Sequence, residues 1–134
     1  MRTLTVLFTL LFVLSACRPP EDTGSIESTS SDPFGLAEVT AELLGSPRNG
    51  DVRIRVEVSQ YGLKVDDAEV VVTGNMFHPG MEPVIAEAVF KKDGRYETPP
   101  LEFSMAGDWF LAIDVTYPDG SEASESLLLT VWPR

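Results

Sequence analysis

Alternation of apolar and polar side chains is the feature that most restricts how this chain can fold. From Asp51 to Ser59 every second residue is a β-branched aliphatic, and the residues between are charged or polar. A period of two belongs to a β-strand, whose successive side chains point to opposite faces. One face is therefore expected to pack in a core and the other to meet water, as in an antiparallel sheet.

The same pattern predicts further strands between turns rich in Gly, Pro, Asn and Asp. Together, the predicted strands cover residues 38–44, 51–59, 67–73, 84–90, 96–103, 107–117 and 122–132. For the first of them a short helix over residues 34–44 remains an alternative. The pair Asp93-Gly94 predicts a tight hairpin turn, and Pro99-Pro100 predicts a bent strand at a sheet edge. About seven short strands without predicted helices indicate an all-β fold, an immunoglobulin-like antiparallel β-sandwich.

Strand alternation also predicts which side chains fill the core. The apolar residues predicted to be buried include Val56, Val70, Trp109, Leu111 and Ile113. Three large apolar residues fall on the opposite face of their strands: Phe110, Leu128 and Trp132. They are expected to cover a sheet edge, with an exposed surface for a partner as the alternative.

The N-terminus has the pattern of an export signal. A short cationic start precedes an almost wholly apolar run over residues 4–14, too short to cross a bilayer but typical of a signal peptide. The run closes on Leu14-Ser15-Ala16-Cys17, which resembles the lipobox of bacterial lipoproteins. The resemblance implies a signal peptide over residues 1–16, lipidation of Cys17 and cleavage before it. An ordinary secretory peptide cut after Ala16 is the alternative.

Composition after the signal peptide excludes several classes of protein. Cys17 is the only cysteine, which excludes an intrachain disulfide, a cysteine-based zinc finger and a thiol catalyst in the folded domain. Removing residues 1–16 takes away one basic residue and none of the 21 acidic ones, so the net charge changes from −11 to −12. This charge argues against nucleic acid as a partner and against close contact with anionic lipid. The polar residues 17–34 are expected to be a flexible tether, followed by one domain over residues 35–134.

The candidate ligand residues lie in two predicted loops. His78 is the only histidine and lies between Met76 and Met81, while Met105 precedes another apolar run. If successive strands reverse direction, both loops lie at the same end of the sandwich. Thioether and neutral imidazole groups suit monovalent copper, so these four residues form a candidate Cu(I) site. In the alternative, the methionines plug the open end of the sandwich, because methionine fills irregular gaps well.

Four short stretches of the domain resemble the YtkA-like family, which is related to the FixH-like accessory proteins. They are Gly62-Leu63-Lys64-Val65-Asp66-Asp67-Ala68-Glu69-Val70, Met76-Phe77-His78-Pro79-Gly80-Met81, Asp93-Gly94-Arg95-Tyr96 and Phe103-Ser104-Met105-Ala106-Gly107-Asp108-Trp109. The resemblance implies an exported or membrane-tethered immunoglobulin-like sandwich, often linked with copper handling or oxidase assembly. One departure is the single histidine, since relatives are often richer in His and Met.

Three functions follow as hypotheses. The first is a lipid-anchored module of the cell envelope that faces the periplasm or the exterior and hands Cu(I) to a copper-accepting or oxidase-assembly protein. The second is a metal-free structural or interaction domain of an envelope complex. An enzyme is the least supported, because no nucleophile motif is present and no acidic residue clearly orients His78.

Overall fold

In the computed structural model, residues 29–31 and 36–134 are described. The predicted signal peptide, Cys17 and most of the predicted tether therefore lie outside the described residues. The described residues form eleven strands: β1 (Thr29–Ser31), β2 (Ala37–Leu44), β3 (Gly50–Gln60), β4 (Leu63–Lys64), β5 (Glu69–Met76), β6 (Val84–Glu87), β7 (Val89–Lys92), β8 (Arg95–Glu97), β9 (Leu101–Phe103), β10 (Gly107–Thr116) and β11 (Glu122–Val131). No helix in these two ranges has the length and apolarity needed to span a membrane.

The strands form two antiparallel sheets. The seven-stranded sheet has the order β1-β2-β3-β8-β7, and β4 and β9 also pair with β3. The four-stranded sheet has the order β11-β10-β5-β6. Because each sheet turns one apolar face toward the other, the architecture is the predicted all-β sandwich.

The core lies between the two sheets and follows the predicted alternation. Its largest fully buried side chains are Trp109, Tyr96 and Phe103, and the five residues predicted to be buried are all among the core residues. The rings of Phe103 and Trp109 meet edge to face with centroids 4.8 Å apart, a favourable arrangement for aromatic pairs. The first predicted strand is β2, so the helical alternative for that segment is wrong.

Two predicted strands are each divided in the structure. The run over residues 84–90 breaks at Ala88: β6 pairs with β5 in the four-stranded sheet, whereas β7 pairs with β8 in the seven-stranded sheet. At the crossing, the Ala88 N–H donates to the Val70 carbonyl at 2.8 Å. Ala86 of β6 is buried and Ala88 packs against the core, whereas all four residues of β7 are exposed.

The run over residues 96–103 breaks at Thr98-Pro99-Pro100 into β8 and β9, which both pair with β3. The prediction of an edge position is wrong for β8, which lies between β3 and β7. Thr98 explains how the bend is tolerated inside the sheet. Its N–H donates to the Ile54 carbonyl at 2.9 Å, and its Oγ1 accepts from the Ile54 N–H at 3.0 Å. The buried polar groups at the bend are thus hydrogen-bonded.

Two further differences concern the chain ends and the outer face. Thr29–Ser31, within the predicted tether, pairs with Glu38, Val39 and Thr40 of β2, so these three residues differ from the unstructured segment that was predicted. Leu128 and Trp132 do not cover a sheet edge. Their side chains are 65% and 59% exposed, which agrees with the alternative of an open surface.

Candidate functional site

Met76 is the last residue of β5 and lies at one open end of the sandwich. It lies opposite Trp109 in the pairing of β5 with β10, and its half-buried side chain packs against the core. The Met76 Cε atom lies 3.0 Å from the position that a Cβ on Gly107 would take. Because Gly107, the first residue of β10, has no side chain, the Met76 thioether can occupy the space beside it.

The loop after Met76 folds back through a tight turn. The Met81 N–H donates to the His78 carbonyl at 3.5 Å, and Gly80 has a φ of +87°. Proline at the second position and a residue with positive φ at the third are the features of a type II turn. Met81 is thereby brought back toward the sandwich, where its side chain is half-buried against the core.

His78 is exposed at the start of this turn. Its Nδ1 lies 3.2 Å from the Pro79 carbonyl oxygen, so the tautomer with hydrogen on Nδ1 can donate to that oxygen. In this tautomer Nε2 keeps a lone pair directed away from that contact and is able to bind a metal ion. A backbone carbonyl that accepts from the second ring nitrogen is a common companion of metal-binding histidines.

Met105 reaches the same end of the sandwich from the other sheet. It lies between β9 and β10, and its side chain is 43% exposed. Its carbonyl oxygen accepts a hydrogen bond from the buried Trp109 Nε1 at 3.0 Å, which ties the loop to the core. The alternation along β10 predicts a buried Trp109 but not this hydrogen bond. The burial of an indole N–H, which needs an acceptor, was the available signal.

The prediction that both loops lie at one end agrees with the structure. The Met76 thioether lies beside Gly107, 3.0 Å from where a Cβ of that residue would be, and Met105 is two residues before Gly107. The agreement arises because β5 and β10 are antiparallel neighbours, so the end of one meets the start of the other. The structure thus brings the Met76–Met81 loop and the Met105 loop together.

Accessibility divides the four candidate residues into two pairs. His78 and Met105 are exposed, whereas Met76 and Met81 are half-buried and pack against the core. Exposure suits residues that exchange a ligand, and half-burial suits both a ligand and a plug. Among the described residues, no three His, Cys, Asp or Glu side chains come together as a metal-binding group. The candidate site differs from such a group because three of its four side chains are thioethers.

A groove of about 720 Å³ lies at the opposite end of the sandwich, far from these loops. Tyr61, Leu63, Asp66 and Asp119 are among its lining residues. Two of its carboxylates already have partners within the protein. Asp66 accepts from the Gly94 N–H at 2.7 Å, and Asp119 accepts from Gln60 at 2.9 Å. The groove is therefore a weaker candidate than the paired loops.

Comparison with known proteins supports the fold and the family. The model of the YtkA-like family matches residues 36–114, which is more than half of the chain and includes all four candidate residues. The chain belongs to the YtkA-like family.

Among solved structures, the soluble domain of PmoD from Methylocystis sp. ATCC 49242 (Rockwell) is similar to this YtkA-like chain. The TM-score is 0.51 at 10% sequence identity, and the alignment covers 81% of this chain and 99% of that domain. At this identity the similarity supports the shared sandwich fold alone. No curated protein matches the chain.

Proposed function

We propose that this YtkA-like protein is a membrane-tethered, extracytoplasmic module that binds Cu(I) as cargo and passes it to a partner. The proposed ligands are Met76, His78, Met81 and Met105. The observation that carries the proposal is that the two loops lie at one end of the sandwich: the Met76 thioether lies beside Gly107, and the Trp109 Nε1 donates to the Met105 carbonyl. The role proposed is non-catalytic, with no nucleic-acid partner.

The chemistry of the four side chains favours a soft monovalent ion. Thioether sulfur and neutral imidazole add no charge to the site and bind hard divalent ions poorly. The exposed pair, His78 and Met105, would take up the ion first. The half-buried pair, Met76 and Met81, would complete the coordination of the ion where these side chains pack against the core. A site that remains open on one side suits transfer rather than permanent storage.

Membership of the YtkA-like family supports this proposal, since the resemblance implied copper handling or oxidase assembly. The single histidine is a departure from relatives that are richer in His and Met. The proposal therefore depends on the three methionines more than on His78.

Titration of the purified full-length protein with Cu(I) against a competing chelator tests the proposal. We expect one Cu(I) per chain and much weaker binding of Zn(II). The double variant His78→Ala with Met81→Ala should lose Cu(I) binding while its thermal midpoint stays nearly unchanged. If the wild-type protein has no Cu(I) affinity and the variant is destabilised, these residues are a plug and the proposal is wrong.

A sharper variant separates the ligand from the plug. Replacing Met76, Met81 and Met105 by leucine keeps most of the apolar volume but removes every sulfur, and such swaps usually cost less than about 1.5 kcal/mol each. We expect a folded protein without Cu(I) binding. Retention of wild-type affinity in this folded triple variant would exclude the thioethers as ligands.

A metal-free interaction domain is the second candidate function. It is favoured by the exposed apolar side chains Phe77 and Leu128, which are 75% and 65% exposed. These side chains lie beside the candidate copper loops rather than far from them, so the two functions are compatible.

The proposed anchor is a lipid on Cys17. Cys17→Ser should abolish incorporation of a labelled fatty acid and cleavage by the lipoprotein signal peptidase, leaving a larger precursor. Metabolic labelling followed by gel electrophoresis measures both effects. A variant that is still labelled and processed would show that the anchor lies elsewhere and that the assignment to a lipoprotein is wrong.

A further inference from the structure

The outer face of the four-stranded sheet carries charge of one sign only. Its four strands contain no Lys or Arg, and five acidic residues point outward from it: Glu69, Glu87, Asp108, Asp114 and Glu122. Arg48 and Arg134 lie near the end of β11 but outside the strands. The strands of the seven-stranded sheet carry six basic residues beside six acidic ones. The negative charge of the strands is therefore concentrated on one side of the sandwich.

The acidic residues of this face are not neutralised within the described part of the chain. All four ion pairs found there involve residues of the seven-stranded sheet. Asp108 accepts from Thr130 at 2.8 Å and Asp114 accepts from Ser124 at 2.6 Å, but both hydrogen bonds come from neutral hydroxyl groups. The carboxylates stay exposed and have no cationic partner among the described residues.

An apolar cluster lies among these carboxylates. Leu128 of β11 is directly opposite Phe110 of β10, and the Phe77 ring lies 6.2 Å from the Phe110 ring at a tilt of 57°. We call Phe77, Phe110 and Leu128 the outer apolar cluster. Asp108 precedes Phe110 by two positions and Asp114 follows it by four, so acidic residues lie on both sides of the cluster along β10. An exposed apolar cluster with a charged rim is the usual composition of a protein-binding surface.

We propose that the outer face of the four-stranded sheet docks a protein partner whose apolar patch is ringed by Lys and Arg. The partner's apolar side chains would pack on the outer apolar cluster, and its basic rim would pair with Asp108 and Asp114. Complementary charge of this kind steers association and fixes the orientation of the two proteins. The proposal extends beyond copper binding and does not depend on it.

Two other partners could cover this face, a second copy of the chain and an anionic lipid surface, but the charge of the face argues against both. A second copy of the chain would set the same acidic residues against each other around a two-fold axis, and like charges in contact are costly. An anionic lipid surface would be repelled by the same carboxylates. A basic protein surface satisfies both the apolar cluster and its rim.

The position of the cluster links docking to the candidate site. Phe77 follows Met76 directly and precedes His78, so one loop contributes to both surfaces. A partner seated on the outer apolar cluster would therefore lie beside His78.

Site-specific photocrosslinking of the full-length protein in the cells that produce it tests the docking surface. Leu128→benzoylphenylalanine places the photoreactive probe in the cluster, and Arg53→benzoylphenylalanine places it on the outer face of the seven-stranded sheet as a control. The charge-reversal pair Asp108→Lys with Asp114→Lys is compared with Asp51→Lys with Glu102→Lys, which changes the net charge equally on the other sheet. Circular dichroism and the thermal midpoint establish that each variant is folded.

The proposal expects a protein adduct from position 128 and little from position 53. Mass spectrometry should place the adduct in a segment where Lys or Arg flanks apolar residues. Reversal of Asp108 and Asp114 should lower the adduct yield roughly tenfold, and reversal of Asp51 and Glu102 should leave it nearly unchanged. The proposal would be overturned by an adduct of doubled mass, by a lipid adduct or by the absence of any protein adduct. It would equally be overturned by equal yields from the two positions or by an equal effect of the two charge-reversal pairs.

The same experiment in the His78→Ala, Met81→Ala background separates this proposal from copper binding. Docking expects an unchanged adduct from position 128 in that background. A strong adduct from a protein without Cu(I) affinity would refute the copper function alone. A copper-binding protein without the adduct would refute docking alone.

Discussion

The seven-stranded sheet and the four-stranded sheet contribute the same kind of side chain to the core, but their outer faces are organised differently. On the seven-stranded sheet, Arg55 pairs with Glu42 and Glu97, and Glu57 pairs with Arg95 and Lys64. These contacts link β2, β3, β4 and β8 across the sheet. The four-stranded sheet has no such links within the described residues and exposes carboxylates beside aromatic and aliphatic groups.

In this small domain, the polar contacts that stabilise the fold lie on one sheet, while exposed carboxylates and apolar groups lie together on the other. One sheet uses its polar residues for internal pairing and for bends such as Thr98. The other has long, uninterrupted strands, β10 and β11, whose stability comes from the buried side facing the core. Its outer side makes no ion pair among the described residues, as expected of a surface whose charges another protein would pair with. Three stability measurements test this comparison.

The largest effect is expected from the core side of the four-stranded sheet. Leu111→Ala should lower the free energy of unfolding by about 2–5 kcal/mol, because a buried leucine is removed and a cavity remains. Leu128→Ala on the neighbouring strand is the matched control and should change it by less than about 0.5 kcal/mol, as is usual for surface positions. Chemical denaturation measures both variants. Similar losses would contradict the division into a buried and an open side.

The tight turn of the seven-stranded sheet should give an intermediate effect. Gly94 has a φ of +69°, and a Cβ there would lie 2.6 Å from the Val58 carbonyl oxygen, which belongs to the backbone and yields little. Gly94→Ala should therefore cost about 2–3 kcal/mol, from backbone strain plus this clash.

Gly120, in the turn between β10 and β11, is the control for that variant. It has a φ of +83° with nothing within 4 Å of a Cβ, so Gly120→Ala should cost only about 1 kcal/mol of backbone strain. Thermal and denaturant unfolding give the difference between the two variants. Equal costs would show that the clash with the Val58 carbonyl adds nothing to the cost of Gly94→Ala.

The smallest effect is expected from the ion pairs, and it depends on pH. Hydrogen bonds from Arg95, and then from Lys64, lower the pKa of Glu57 below its ordinary value. A lowered folded-state pKa means that the stabilisation is fully present above the unfolded-state pKa and is lost as pH falls through the folded value. Glu57→Gln should cost about 0.3–1 kcal/mol at pH 7, since these partly exposed pairs are screened by water.

Unfolding measured from pH 7 down into the acid range tests this dependence. The cost of Glu57→Gln should shrink as the wild-type carboxylate becomes protonated. Glu122→Gln, on the four-stranded sheet, is the control because Glu122 makes no ion pair with the described residues. A cost for Glu57→Gln that stays constant with pH would show that the ion pairs do not contribute.

Much of the fold could be predicted from the sequence because it depends on local alternation. Residues 51–59 specify a half-buried strand whatever strands they pair with. Asp93-Gly94 specifies the hairpin turn between β7 and β8 because these residues tolerate positive φ angles, which are +50° and +69° in the structure. The YtkA-like resemblance, based on four short stretches, was confirmed by the family model. The candidate ligands can be recognised by residue type, since His and Met are rare in this chain.

Tertiary structure alone decided where the chain changes sheet and what each candidate residue meets. Ala88 carries no sign of the crossing, because the residues on both sides of it favour a β-strand. The bond from Trp109 to the Met105 carbonyl, and the contact of Phe77 with Phe110, join residues whose proximity depends on strand register. Alternation determines which side of a strand is apolar, whereas pairing determines which charges and rings become neighbours, and only the folded sheets set that pairing.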